Sequence, residues 1–441
     1  MEEDRQSVNE LKLQKQEESL QEIPLIKLAE NVIKDYEKLL YDALIINGSF
    51  KDILDKKIKP FKRITNWIFL AVYIGFLIPR FSFICFLYLK DDDTRLFWQY
   101  YLTDYFEELG MFGRCLNFCY LVFTIAVVLD KFWLHFFETN GRLDFLTNFL
   151  TLIPEEDAEN QENQLEIEPM EPIEGPNHRQ DHINHEDVLS EEDMRQLLIR
   201  TKNYIKLCRV LCRISFHACH CYDYLCCPLF IYRRRPSIPV AVMAGLNMII
   251  ILFAVKMTIT HCITIYTSFL ITVEYFKARL RFLMSKLKQM KATFEEQVVC
   301  QVISLYMRLM LDFKRQDLLL KHLLRNLLLL YMVELSLLFF LLTLDVHPLL
   351  RTILITAPLS LAVSIVTTGL FIGQLHSKTM DLYLELNHSM ANNSIDNVSL
   401  KSRRQLLLAI KELVPIKWTG SLSWVSGMGL VRLLLHMRYL T

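Results

Sequence analysis

Seven apolar stretches, each about as long as a helix needs to cross a bilayer, occupy most of this chain. They cover residues 65–90, 111–134, 207–231, 238–268, 322–345, 349–376 and 419–441. A hydrocarbon core about 30 Å thick takes roughly 20 helical residues, and only helices or closed barrels satisfy their backbone polar groups in lipid. The expected fold is therefore all-α, a seven-transmembrane helical membrane protein. A hydrophobic fraction of 52% and an aromatic fraction of 12% agree with that class.

A net charge of zero conceals a strong segregation. Residues 155–194 hold fifteen Asp and Glu and one basic residue, Arg179. The rest of the chain is correspondingly basic, much of it beside the apolar stretches. With Pro154, Pro169, Pro172 and Pro176 and no apolar periodicity, this block cannot bury enough surface to fold. Residues 154–194 are expected to form an acidic, disordered intracellular insert. Around it, residues 1–64 form a cytoplasmic amino-terminal region, 65–153 carry spans one and two, and 195–441 carry spans three to seven.

Within the first region, Leu25, Leu28, Val32, Tyr36, Leu39, Leu40 and Ala43 recur at helical spacing, with Lys and Glu between them. They predict an amphipathic helix packed on the inner face of the molecule, or else lying on the membrane surface. Ser190-Glu191-Glu192-Asp193 predicts a helix start, because a Ser with an acid three residues on caps free amides; the same serine also fits an acid-directed kinase. The charged continuation Phe276 to Lys291 keeps helical spacing after the fourth span, and another run leads into the fifth from about Glu295. Both are expected to project beyond the bilayer.

Orientation follows from the flanks, since Lys and Arg beside short loops stay cytoplasmic. Lys56, Lys57, Lys59, Lys62 and Arg63 precede the first span, and Asp91, Asp92 and Asp93 follow it. Lys277, Arg279, Arg281, Lys286, Lys288 and Lys291 follow the fourth; Lys401, Arg403, Arg404, Lys411 and Lys417 precede the seventh. These put the amino terminus inside and the carboxyl end outside, against one opposing cluster, Arg233 to Arg235. No long apolar run precedes Thr65, so the first span is expected to direct insertion. Sequons at Asn47, Asn387, Asn392 and Asn397 then fall inside and should carry no sugar.

Seven helices with an inside amino terminus invert the arrangement of G-protein-coupled receptors. The tail runs Arg403-Arg404-Gln405-Leu406-Leu407-Leu408-Ala409-Ile410, then Val414-Pro415-Ile416-Lys417-Trp418-Thr419-Gly420. A basic, Leu-rich inner helix, a Pro-containing bend and an apolar last helix resemble the arthropod gustatory and odorant receptor superfamily. Where gustatory members carry Thr-Tyr in that last helix, this chain has Arg438-Tyr439, so it resembles a divergent gustatory-receptor-like member. The resemblance implies a plasma-membrane, ligand-gated cation channel, a homo- or hetero-tetramer whose last helices line the pore. It also implies a small-molecule site among the outer halves of the helices, for which Tyr222, Tyr224, Met243, Asn247, Thr352 and Thr356 are candidates by their place at outer helix ends.

In the last helix, Met428, Val431 and Leu435 share one face and could form a gate that closes by excluding water. Gly429, Arg432, His436 and Tyr439 share the neighbouring face, and an Arg ring belongs to anion pores. Two rivals stay open: a receptor of inverted topology coupled to G proteins, and a non-conducting scaffold of the same fold.

Ionisable residues at membrane depth are costly and usually partnered. Arg80, Lys256, His261, Glu274 and Glu334 are of this kind, and Lys256 with Glu334 is one conceivable pair; snorkelling toward the interface is the simpler account of both. The third stretch holds Cys208, Cys212, His217, Cys219, His220, Cys221, Cys226 and Cys227. Along a single helix they are badly placed to close a tetrahedral zinc site, so no metal or cofactor is expected. No phosphate-binding glycine loop, nucleophile elbow or His-Glu-x-x-His occurs, so no enzyme is expected. Topology accounts for the basic clusters without nucleic acid.

Overall fold

A computed structural model describes residues 24–46, 49–50, 64–89, 102, 104, 110–139, 189–293, 298, 300–313 and most of 366–388. All regular structure among them is helical. Helix α1 spans Leu25–Asp42. Helix α2 runs Ile64–Leu87 through a wide turn at Tyr73–Leu77, α3 covers Met111–Thr139, α4 Glu191–Arg234 and α5 Ile238–Thr293. Further helical residues lie at 300–313 and 366–388. The spans expected at 322–345 and 419–441, residues 349–365 of the sixth, and the four sequon asparagines lie outside the described residues.

Three helices are long and apolar enough to cross a membrane: Ile64–Leu87, Gly113–Glu138 and Ile238–Gln289. Seven is the sequence expectation, and three is what the described residues hold. The third expected span, 207–231, is helical throughout but is not one of the three; His217, His220 and Asp223 keep it more polar.

Local chemistry explains where these helices bend, start and stop. Pro79 lacks an N–H and crowds the carbonyl four residues back. The widened turn at Tyr73–Leu77 precedes it, so α2 continues past the ring instead of breaking. Helix α4 begins where its motif predicts: Ser190 Oγ accepts the Asp193 amide at 3.1 Å and donates to the Asp193 carboxylate at 2.7 Å. Residues 191–194, expected with the disordered insert, therefore belong to α4. It ends at Arg235, whose φ of 42° lies in the left-handed region and whose amide returns to the Ile231 carbonyl at 3.1 Å. Glycine suits this position best. Arg235→Gly should raise stability by about 1 kcal/mol, measurable as a higher melting temperature in detergent.

Helices α4 and α5 form an antiparallel hairpin through the short Arg235–Ser237 turn. At 1.5 Å per residue, the 56 residues of α5 extend about 84 Å, far more than the roughly 30 Å of hydrocarbon. The expected charged continuation is thus one unbroken helix with the span. The hairpin has a turn end and an extension end, each with its own packed cluster.

The extension-end cluster buries Leu28, Val32, Tyr36, Leu39 and Leu40 of α1 against α4, the second half of α5, and residues 302–313 and 375–386. The amphipathic α1 is accordingly docked on protein along its whole apolar face. The second cluster joins Phe69, Tyr73, Leu77 and Phe81 of α2 to Val127, Val128, Phe230, Ala244, Ile251 and Ala254. Within it the Tyr73 hydroxyl donates to the Ala254 carbonyl at 2.7 Å; farther along α5, Thr267, Ser268 and Thr272 donate to the carbonyls four residues back.

Candidate functional site at the hairpin turn end

The end of α2, the start of α3 and the first turns of α5 meet around a buried polar group. Asp104 is 1% exposed and Asn117 is 0% exposed. The Asn117 amide donates to Asp104 Oδ1 at 2.9 Å and to the Tyr88 hydroxyl at 2.6 Å. The Tyr88 hydroxyl in turn donates to Asp104 Oδ2 at 2.5 Å. One arginine borders the triangle, Arg114, which lies over the Tyr88 ring at 5.3 Å; Arg80 lies over Phe81 at 5.3 Å. Arg80 donates to the Leu102 carbonyl at 3.3 Å, and Asn247 from α5 reaches the same oxygen at 3.5 Å.

One acceptor stands out. Asn117 Oδ1 is buried and has no hydrogen-bond partner among the described residues. Such an atom is costly to leave unpaired, and a polar guest with a donor group would satisfy it. The group as a whole joins a carboxylate, a phenol and an amide in mutual hydrogen bonds, with Arg114 over the phenol ring and with Arg80 and Asn247 sharing the Leu102 carbonyl. That chemistry suits a small polar molecule held by several weak bonds.

Of the residues expected to line a ligand site, Asn247 joins this group and is 5% exposed. Met243, one turn earlier on α5, is 49% exposed. Tyr222 and Tyr224 fall within α4. Thr352 and Thr356 lie outside the described residues, as do Met428, Val431 and Leu435 of the expected gate. Arg80 stood out in the sequence as a charge within a span, whereas Tyr88, Asp104, Arg114 and Asn117 did not. The one available signal was Asn117 inside an apolar run, because an amide at that depth needs partners.

A second ionic group ties the extension end together. Glu274 accepts from Arg200 at 2.7 Å and from Lys277 at 3.1 Å. Lys277 also donates to Gln374 at 2.9 Å and sits 4.2 Å from the Phe371 ring centre. Arg279 pairs with Asp312. These contacts link α4, α5 and both later helical segments.

The remaining ionisable candidates fall between the two groups. His261 meets the Ala43 carbonyl at 3.3 Å, and Lys131, 2% exposed, donates to the Leu44 carbonyl. Leu44 has a φ of 56°, unusual for a branched side chain, and both bonds hold that bend closed. Lys256 is exposed with its ammonium 5.7 Å from the Phe216 ring centre, while Glu334 lies outside the described residues. Among the described residues no group of three or more His, Cys, Asp or Glu is placed to hold a metal.

No family model matches this chain, and no curated protein matches it.

Proposed function

We propose that this chain is a multi-pass receptor of the plasma membrane, a ligand-gated cation channel of the gustatory-receptor-like kind. It has seven spans, an inside amino terminus and a tetrameric assembly. A small polar molecule docks at the turn-end group around Asp104, Asn117 and Asn247, and cations pass along the last helix. The observation that carries the proposal is α5, one unbroken 56-residue helix with Asn247 at the turn-end group and Glu274 in the extension-end core. A rigid rod with a polar group near one end and a packed collar at the other can pass a displacement between them. The exposed apolar residues Ile249 and Phe253 between these groups suit lipid contact.

Three measurements test it. An epitope ahead of Met1 should stay unstained on intact cells, and Asn387 should carry no sugar; staining would overturn the orientation. In cells expressing the chain, Leu435→Ser should raise the resting current several-fold by wetting the gate. An unchanged current would remove Leu435 from the gate, and the absence of current under any ligand would favour the non-conducting scaffold.

A further inference from the structure

Helix α4 carries a cationic line that neither functional group uses. Lys202, Lys206, Arg209 and Arg213 are spaced by four, three and four residues. At 100° per residue they fall within about 60° of one another on the helix. The buried line of Met194, Leu197, Thr201, Ile205 and Cys208 lies to one side. To the other side lie Leu207, Val210, Leu211 and Ile214, all at least 41% exposed. Phe216, three residues beyond Arg213, continues the cationic line and supports the exposed ammonium of Lys256. From α1, Asp35 pairs with Arg209 at 3.2 Å, and the exposed Lys34 and Lys38 lie within one turn of it. Among the described residues, Lys202, Lys206 and Arg213 have no acidic partner.

Lys202 and Lys206 stand just ahead of the expected span 207–231 and the exposed aliphatic row begins with it at Leu207, so cations at headgroup depth are followed by bare aliphatic side chains at acyl depth. We propose that this face of α4, with Lys256, binds an anionic phospholipid: the basic line takes the headgroup phosphate and Leu207, Val210, Leu211 and Ile214 take a chain. Basic clusters beside membrane helices attract anionic lipid with about 1 kcal/mol per residue. The acidic insert that precedes α4 is the competing occupant. It matches the cations in charge, but the aliphatic row lies within the expected span 207–231, where lipid is the neighbour. The proposal rests on the chain being membrane-embedded, but neither on its orientation nor on conduction.

The test uses the full chain purified in detergent, equilibrated with phosphatidylserine, a bisphosphorylated phosphoinositide or phosphatidylcholine. Retained lipid is counted by native mass spectrometry. Anionic lipid should be retained over phosphatidylcholine, and each of Lys202→Gln, Lys206→Gln and Arg213→Gln should weaken it roughly fivefold. Arg233→Gln with Arg234→Gln, at the opposite end, should leave retention unchanged. Soluble inositol trisphosphate should compete poorly, because it lacks the chain that the aliphatic row holds. Equal retention by the α4 variants, equal loss in the Arg233 and Arg234 variant, or full competition by the soluble headgroup would each overturn the proposal. Anionic retention that emerges only after deletion of residues 157–187 would assign the face to the insert instead. Single substitutions at these partly or wholly exposed positions leave the fold intact, and the elution profile of each variant checks it.

Discussion

Glu274→Ala should be among the most destabilising single changes in this chain, by about 3–5 kcal/mol. The Glu274 carboxylate is 6% exposed and the Lys277 ammonium 7%. Removing the acid leaves that ammonium among Phe371, Gln374 and the packed helices with no counter-charge among the described residues. Arg200 is 47% exposed and turns to water at little cost. The penalty therefore comes from the stranded Lys277 and not from a lost surface pair. The double change Glu274→Leu with Lys277→Leu should recover most of the loss, since it removes both charges together. Thermal unfolding in detergent, read as a double-mutant cycle, separates the two cases. A Glu274→Ala protein that melts like the parent would show that the pair contributes no more than an exposed one.

How much of this was legible in the sequence depends on the distance over which each feature is decided. Helix α4 starts at Glu191 because Ser190 and Asp193 are three residues apart, and that spacing is printed in the chain. The length of α5 was legible for the same reason, its charged half keeping the period of its apolar half. Docking of α1 was legible in its apolar face but not in its partner, because the same face suits a lipid surface. The turn-end group was not legible beyond Arg80 and Asn247. Tyr88, Asp104 and Asn117 come from three separate places in the chain, and only the packing of α2 on α3 brings them together. Arg200 and Glu274 lie 74 positions apart, and Lys131 and Leu44 lie 87 apart. No periodicity connects such pairs, so an isolated charge in an apolar run announces that a partner exists without saying which.

Tyr36→Ala decides what α1 rests on. Tyr36 is 1% exposed and lies 6.0 Å, ring centre to ring centre, from Phe50. Around it pack Val32, Ile33, Leu39 and Leu40 from its own helix, and the cluster reaches Phe276, Tyr306 and Leu382. Truncating a ring in such a core costs about 3–5 kcal/mol, from lost transfer energy and the cavity left behind. If α1 instead lay on a membrane surface, the same change would leave the unfolding of the remaining helices unaltered. The expected result is a large fall in melting temperature together with faster proteolysis between α1 and α2. A pH titration supplies an independent check. Burial pushes the Tyr36 phenol up from its ordinary value near 10, so the folded protein favours the neutral form. An unfolded chain ionises this phenol near pH 10, and stability should therefore fall as the pH rises beyond that point. Tyr36→Phe keeps the ring and removes the proton, so its melting temperature should lose that part of the alkaline slope. An alkaline slope identical in parent and Tyr36→Phe would mean that water reaches the phenol and that α1 is not docked.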